Sequence, residues 1–190
     1  MKSGANKRGF TIIEVVLVLA VAGLIFVMVF VALPALQRSQ RDNSRRDDMM
    51  TFVSKVKQYQ SGNRGALPGT ANQSFPINVD WGTNGSALNG AKANTWAGFY
   101  KDYLGDRFMD PDGYHYRLQV IECGSKVDVA CDSGDILNEL YTSPFPYNNY
   151  AMVVVLQGKC DGVEAVGSNS PRNLAVVYRL EGSQAYCESV

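Results

Sequence analysis

Residues 8–36 read RGFTIIEVVLVLAVAGLIFVMVFVALPAL, and a single carboxylate, Glu14, interrupts an otherwise apolar run from Phe10 to Leu36. Val15 to Leu33 contains no charged residue. About 20 apolar residues, each rising about 1.5 Å, span a hydrocarbon core, so this run is long enough to cross a bilayer. A charge inside such a span costs about 2.5–3.5 kcal/mol on insertion scales, so a carboxylate there calls for a dedicated partner. Two plainer readings account for the run less well. A simple signal anchor leaves Glu14 unexplained, and a secretory signal peptide cut at Ala20-Val21-Ala22 leaves GLIFVMVFVAL on the mature chain.

Pro34 has no backbone N–H and crowds the carbonyl of Phe30, which predicts a kinked or loosened helix at the end of the run. Residues 37–50, QRSQRDNSRRDDMM, are polar. Met49, Phe52, Val53, Val56 and Tyr59 then recur at helical spacing, so the helix is expected to continue as an amphipathic segment and to stop near Gly62, where SGNRGALPG supplies a terminating glycine and proline. From Phe10 that is about 50 residues, or roughly 75 Å. A helix with so apolar a first half belongs in a membrane or in the core of a filament.

Residues 62–94, rich in Gly, Asn, Ser and Ala, read as an extended loop. Asn72-Gln73-Ser74 and Asn84-Gly85-Ser86 fit the glycosylation pattern, which a loop of this composition also produces by chance. Trp96, Phe99, Tyr100, Tyr103 and Leu104 follow helical spacing with Asn94 or Thr95 as a cap, predicting a short helix packed on a sheet, with an aromatic ligand site as the alternative. Asp110-Pro111-Asp112-Gly113 is a turn signal before an alternating strand, in which Tyr114, Tyr116, Leu118 and Val120 face one way and His115, Arg117 and Gln119 the other. The segments 150–157, 173–180 and 184–189 read as further strands, with Glu181-Gly182-Ser183 as the last hairpin turn.

These elements define an α+β chain whose long N-terminal helix packs on a C-terminal antiparallel sheet of about four strands. The segments are 1–9 as leader, 10–36 as apolar helix, 37–61 as amphipathic helix, 62–112 as a connecting loop with a short helix, and 113–190 as sheet and cysteine-bearing region. His115 lacks a second histidine or a paired carboxylate, so general-base chemistry is not expected. No phosphate-binding glycine loop, nucleophile elbow or metal-ligand motif is present, and neither a cofactor nor an enzymatic activity is expected. Asp106, Asp110 and Asp112 are a weak calcium alternative to simple turn chemistry, without the EF-hand spacing.

Lys7-Arg8-Gly9 followed by Phe10-Thr11-Ile12-Ile13-Glu14 and the apolar run resembles the class III signal of type IV pilins and type II secretion pseudopilins. The resemblance covers residues 1 to about 60 and implies that a membrane-embedded prepilin peptidase cuts between Gly9 and Phe10 and methylates the new amino terminus of Phe10. Gly23 falls where that family often has a helix glycine. The family's usual proline three residues before Pro34 is here Val31. In a bundle of such helices, Glu14 of one copy can meet the cationic amine of Phe10 on its neighbour, so cleavage creates the missing partner. The sequence D-P-x-G-x-x-Y from Asp110 to Tyr116 resembles the entry to the sheet in major pseudopilins.

The formal net charge of zero conceals a gradient: Lys2, Lys7 and Arg8 make the leader +3, residues 37–65 carry +4, and residues 66–190 carry −6. Arg38, Arg41, Arg45 and Arg46 flank the far end as strongly as the leader flanks the near end, so charge alone leaves the orientation open. The resemblance implies a leader inside and a head outside, in a lollipop-shaped subunit. There Cys123, Cys131, Cys160 and Cys187 meet oxidising conditions. The absence of a CxxC, with His115 the only histidine, argues against zinc. Four cysteines allow three pairings; Cys123–Cys131 as a local clamp and Cys160–Cys187 as a tie on the last strand are expected.

The expected function is that of a structural pilin: a single-pass precursor in the inner, cytoplasmic membrane, then a subunit of an extracellular pilus at the cell surface serving adhesion, twitching motility or DNA uptake. The implied partners are other pilin subunits in a homopolymer, the prepilin peptidase, an inner-membrane platform protein, and assembly and retraction ATPases, with nucleic acid contacted only through DNA uptake. The rival readings are a secretion pseudopilin and a monomeric membrane-anchored surface binding protein with an uncleaved Gly9–Phe10 bond.

Overall fold

The structure is a computed structural model that describes residues 9–69, 77–82, 88–123, 131, 151–181 and 184–190. The leader residues Lys2, Lys7 and Arg8, the sequons at Asn72 and Asn84, and Gly182-Ser183 of the last hairpin lie outside the described residues. Two compact units are present, residues 1–40 and 41–190. Helix α1, Ile12–Gly62, contributes to both and continues through Pro34 as helix.

In the first unit, Phe10, Ile12, Ile13 and the large aliphatic and aromatic side chains through Leu36 are exposed. An unpartnered apolar surface of that extent is unfavourable in water and favourable in lipid or against other helices. Among the described residues α1 is the one helix long and apolar enough to cross a membrane, by length and composition.

In the second unit, α1 buries Arg45, Met49, Phe52, Val53, Val56 and Tyr59. The apolar members form one stripe at i, i+3, i+4 spacing, and burying each stabilises by about 1.5–3 kcal/mol. The stripe packs with Trp96 and Phe99 of α2 (Trp96–Phe99), and with residues of a five-stranded sheet ordered β1-β2-β3-β6-β7. The strands are β1 (Ile77–Val79), β2 (Arg117–Glu122), β3 (Ala151–Leu156), β6 (Leu174–Arg179) and β7 (Ala185–Ser189). Thr95 caps α2 by accepting from Gly98 N, and the chain runs on as a π-helical turn, Tyr100–Leu104.

The sheet departs from the predicted antiparallel arrangement. β2 pairs with β3 in parallel, Arg117 opposite Ala151 through Glu122 opposite Leu156, while the other pairings are antiparallel. Parallel neighbours need a crossover of a dozen or more residues, and the connection 123–150 supplies the length. The sheet also gains β1 from within the predicted loop. A separate hairpin, β4 (Gly158–Asp161) with β5 (Glu164–Gly167), forms a second two-stranded sheet. Its two-residue loop begins at Gly162 with φ +63, the left-handed value that a primed hairpin turn needs there.

The second sheet explains why β3 is buried along its whole length and β6 along nearly all of it. One face of the main sheet, with Leu118, Val120, Met152, Val154, Val176 and Tyr178, joins the core that holds the α1 stripe. Val153, Val155, Ala175 and Val177 on the other face pack with Ala165 of β5 and with Cys131 and Cys187. Strands buried on both faces read as continuous apolar runs, as AMVVVL does. Disulfides join Cys123 to Cys131 and Cys160 to Cys187, with Cα separations of 5.2 and 5.8 Å. The Cys131 N–H donates to Ala165 O at 2.9 Å, so both bridges tie the small hairpin to the main sheet.

Candidate functional site

The first site is the start of α1. Gly9 and Phe10 precede the helix, and the Phe10 side chain is 88% exposed. Thr11 and Glu14 form a reciprocal cap. Glu14 N donates to Thr11 Oγ1 at 3.3 Å, while Thr11 N and Thr11 Oγ1 each donate to Glu14 Oε2 at 3.0 Å. This is the capping box, in which a hydroxyl residue and a glutamate three positions later satisfy each other's orphan N–H groups. Both side-chain bonds go to Oε2, which leaves Oε1 open among the described residues. Further along α1, Gly23 faces open space, and a Cβ there would meet nothing within 4 Å.

The second site lies in the head, where Arg45 gathers carboxylates from three parts of the chain. Its Nε donates to Asp110 Oδ2 at 2.7 Å, and its Nη2 to Asp110 Oδ1 at 3.1 Å and Asp112 Oδ2 at 3.0 Å. Its Nη1 donates to Glu181 Oε1 at 3.0 Å and to Asp42 Oδ1 at 3.4 Å. Arg41 donates to both Glu181 oxygens through Nε and Nη2. Tyr178 Oη donates to Asp110 Oδ2 at 3.2 Å, and Tyr116 Oη donates to Asp48 Oδ2 at 2.7 Å.

Burial alone would lower the Arg45 pKa, but the bonds to Asp110 and the surrounding negative charge outweigh it and raise the pKa above the ordinary guanidinium value. The Glu181 carboxyl is held down to about 2, first by the Arg41 hydrogen bond and then by Arg45, against partial desolvation. Burial pushes Asp48 up, against the opposing hydrogen bond from Tyr116.

The three calcium candidates take different places around this arrangement. Asp110 and Asp112 converge on a guanidinium, Asp106 is exposed in the preceding turn, and among the described residues no three acidic, histidine or cysteine side chains are placed to hold a metal ion. His115 stacks on Trp81, with ring centroids 4.9 Å apart. Two functional features escaped the sequence reading. Thr11 is marked by the T-x-x-E pattern itself, whereas Arg45 carries no local signal because its partners lie 65 and 136 positions away.

No curated protein and no solved structure matches the chain. The family described as prokaryotic N-terminal methylation motif matches residues 4–30, the span that contains the Gly9–Phe10 junction, the Thr11–Glu14 cap and most of the apolar run. The chain thus carries, at its amino terminus, the class III signal sequence of type IV pilin and pseudopilin precursors.

Proposed function

We propose that this protein is a structural subunit of a type IV pilus, cut between Gly9 and Phe10, methylated on Phe10, and assembled by packing of the apolar half of α1. The observation that carries the reading is the methylation motif set directly on a helix whose apolar surface has no partner within its own unit. Glu14 then has two consecutive tasks. Oε2 caps its own helix, so the carboxylate is partly satisfied while the precursor waits in the membrane, and Oε1 accepts the cationic amine of a neighbouring Phe10 on assembly. The peptidase, platform protein and ATPases act on the chain from outside it. Adhesion, twitching motility and DNA uptake are the outputs such a fibre serves. The Asp110–Tyr116 turn supports a second reading, a pseudopilin that moves secreted proteins.

The test compares cells making only the Glu14→Val subunit with wild type. Wild-type surface protein should lack its first nine residues and carry one added methyl group. The variant should reach the membrane and be processed normally, because removing a charge favours insertion. Filaments should be lost, because a neighbour's amine buried without its counter-charge is penalised by about 3–5 kcal/mol. An intact leader on surface-exposed wild-type protein would overturn the processing, and abundant Glu14→Val filaments would overturn the pairing. A short periplasm-spanning assembly tied to protein export, in place of surface fibres, would select the pseudopilin reading.

A further inference from the structure

We propose that the cleft between the end of α1 and the π-helical turn after α2 is a binding site for neutral saccharides, independent of filament assembly. Tyr59, Asn63, Ala93, Asn94, Asp102 and Tyr103 line a space of about 440 Å³. Its volume lies in the range of small-ligand sites and suits a mono- or disaccharide.

The tyrosine hydroxyls single this cleft out. Buried phenols ordinarily find hydrogen-bond partners. In this head, Tyr100 Oη donates to Tyr116 O at 2.8 Å, Tyr116 to Asp48, Tyr178 to Asp110, and the partly buried Tyr186 to Glu188 at 2.9 Å. Tyr59 is 5% exposed as a whole, but its hydroxyl is not among the enclosed polar atoms: it is open to solvent and makes no hydrogen bond to any described residue. The Tyr103 hydroxyl and the Asp102 carboxylate beside it are likewise unbonded among the described residues. Asn63 uses its Nδ2 on Tyr59 O at 2.8 Å and keeps Oδ1 open, while the Asn94 backbone carbonyl accepts from Gly69 N and its side-chain amide is unengaged among the described residues.

The unengaged groups are a mixture of donors and acceptors: phenols, an amide NH₂, amide oxygens and a carboxylate. A sugar requires that mixture, because each of its hydroxyls both donates and accepts. Among the described residues no lysine or arginine lines the cleft, so of these an anionic ligand would meet only the charge of Asp102. The walls are also set in advance. Tyr103 stacks on Phe99 with centroids 5.3 Å apart, and Tyr59 meets Phe99 edge-on at 5.8 Å and Tyr103 at 5.5 Å. Little ordering is therefore left to be done on binding.

The experiment applies detergent-solubilised full-length protein to an array of neutral hexose and N-acetylhexosamine oligosaccharides, with sialylated and sulfated glycans on the same surface and spermine as a soluble competitor. Neutral glycans should bind, and spermine should not displace them. Asp102→Asn, on an exposed position, and Tyr103→Phe, which preserves the ring stack on Phe99, should each weaken binding about tenfold with melting temperature unchanged. The proposal is overturned if no neutral glycan binds, if only acidic glycans bind, if spermine displaces the bound glycan, or if both variants bind as wild type does.

Discussion

Arg45 is 4% exposed and the Asp110 side chain is fully buried, so each is the other's reason for being tolerated inside the head. Removing one partner of such a pair strands a charge in a poorly solvating environment. Arg45→Met is therefore expected to destabilise the head by about 3–5 kcal/mol, and Arg45→Met combined with Asp110→Asn by less than the two single changes together. Urea titration followed through Trp81 and Trp96 fluorescence measures this, and additive losses would show that the two side chains are uncoupled. Asp48 behaves in the opposite sense from Glu181. Because its folded pKa lies above 3.8, Asp48 adds stability below 3.8 that is lost as pH rises through the folded value. Asp48→Asn keeps an acceptor for the Tyr116 hydroxyl and removes the charge, so it should be more stable than wild type at neutral pH, with the advantage shrinking as pH approaches 3.8. Paired unfolding curves at the two pH values check the sign.

Elements with strong local patterns were legible in the sequence. The stripe from Met49 to Tyr59 had one periodicity and is buried, and the aromatic run at 96–104 formed its short helix with the Thr95 cap. AMVVVL and LAVVYR were readable as strands because both of their faces are buried. β1 was not readable: three residues, Ile77–Val79, cannot display an alternation, and they are in the sheet because β2 offers them an edge. The β4–β5 hairpin had a turn signal at Asp161-Gly162, but the preceding Gln157-Gly158 break made it look like the end of a strand. The parallel β2–β3 pairing is a long-range choice that no local pattern encodes. At the candidate sites, an isolated charge in an apolar run drew attention to Glu14 while hiding the ordinary capping job that it also performs with Thr11. Arg45 looked like one more basic residue on a polar helix face.

Across the whole molecule the two units solve opposite problems. Residues 1–40 include a long apolar surface that is exposed, whereas residues 41–190 bury theirs on both faces of a sheet. The sheet ends at β7, which among the described strands pairs only with β6, and an edge strand of that kind is a template for a neighbour's strand. Cys187 lies in the middle of β7 and is bonded to Cys160 of β4. Replacing both by Ser should lower stability by about 2–4 kcal/mol. The variant should also form strand-exchanged dimers at high concentration, detectable by light scattering after size-exclusion chromatography. A variant that stays monomeric while losing stability would confine the bridge to a purely local role. In the proposed filament, subunits drawn together by their apolar helices would be held at very high local concentration, where an unlocked edge would let heads trade strands and fuse in the wrong order. There the Cys160–Cys187 bond would keep each head's last strand its own and leave association to the helices.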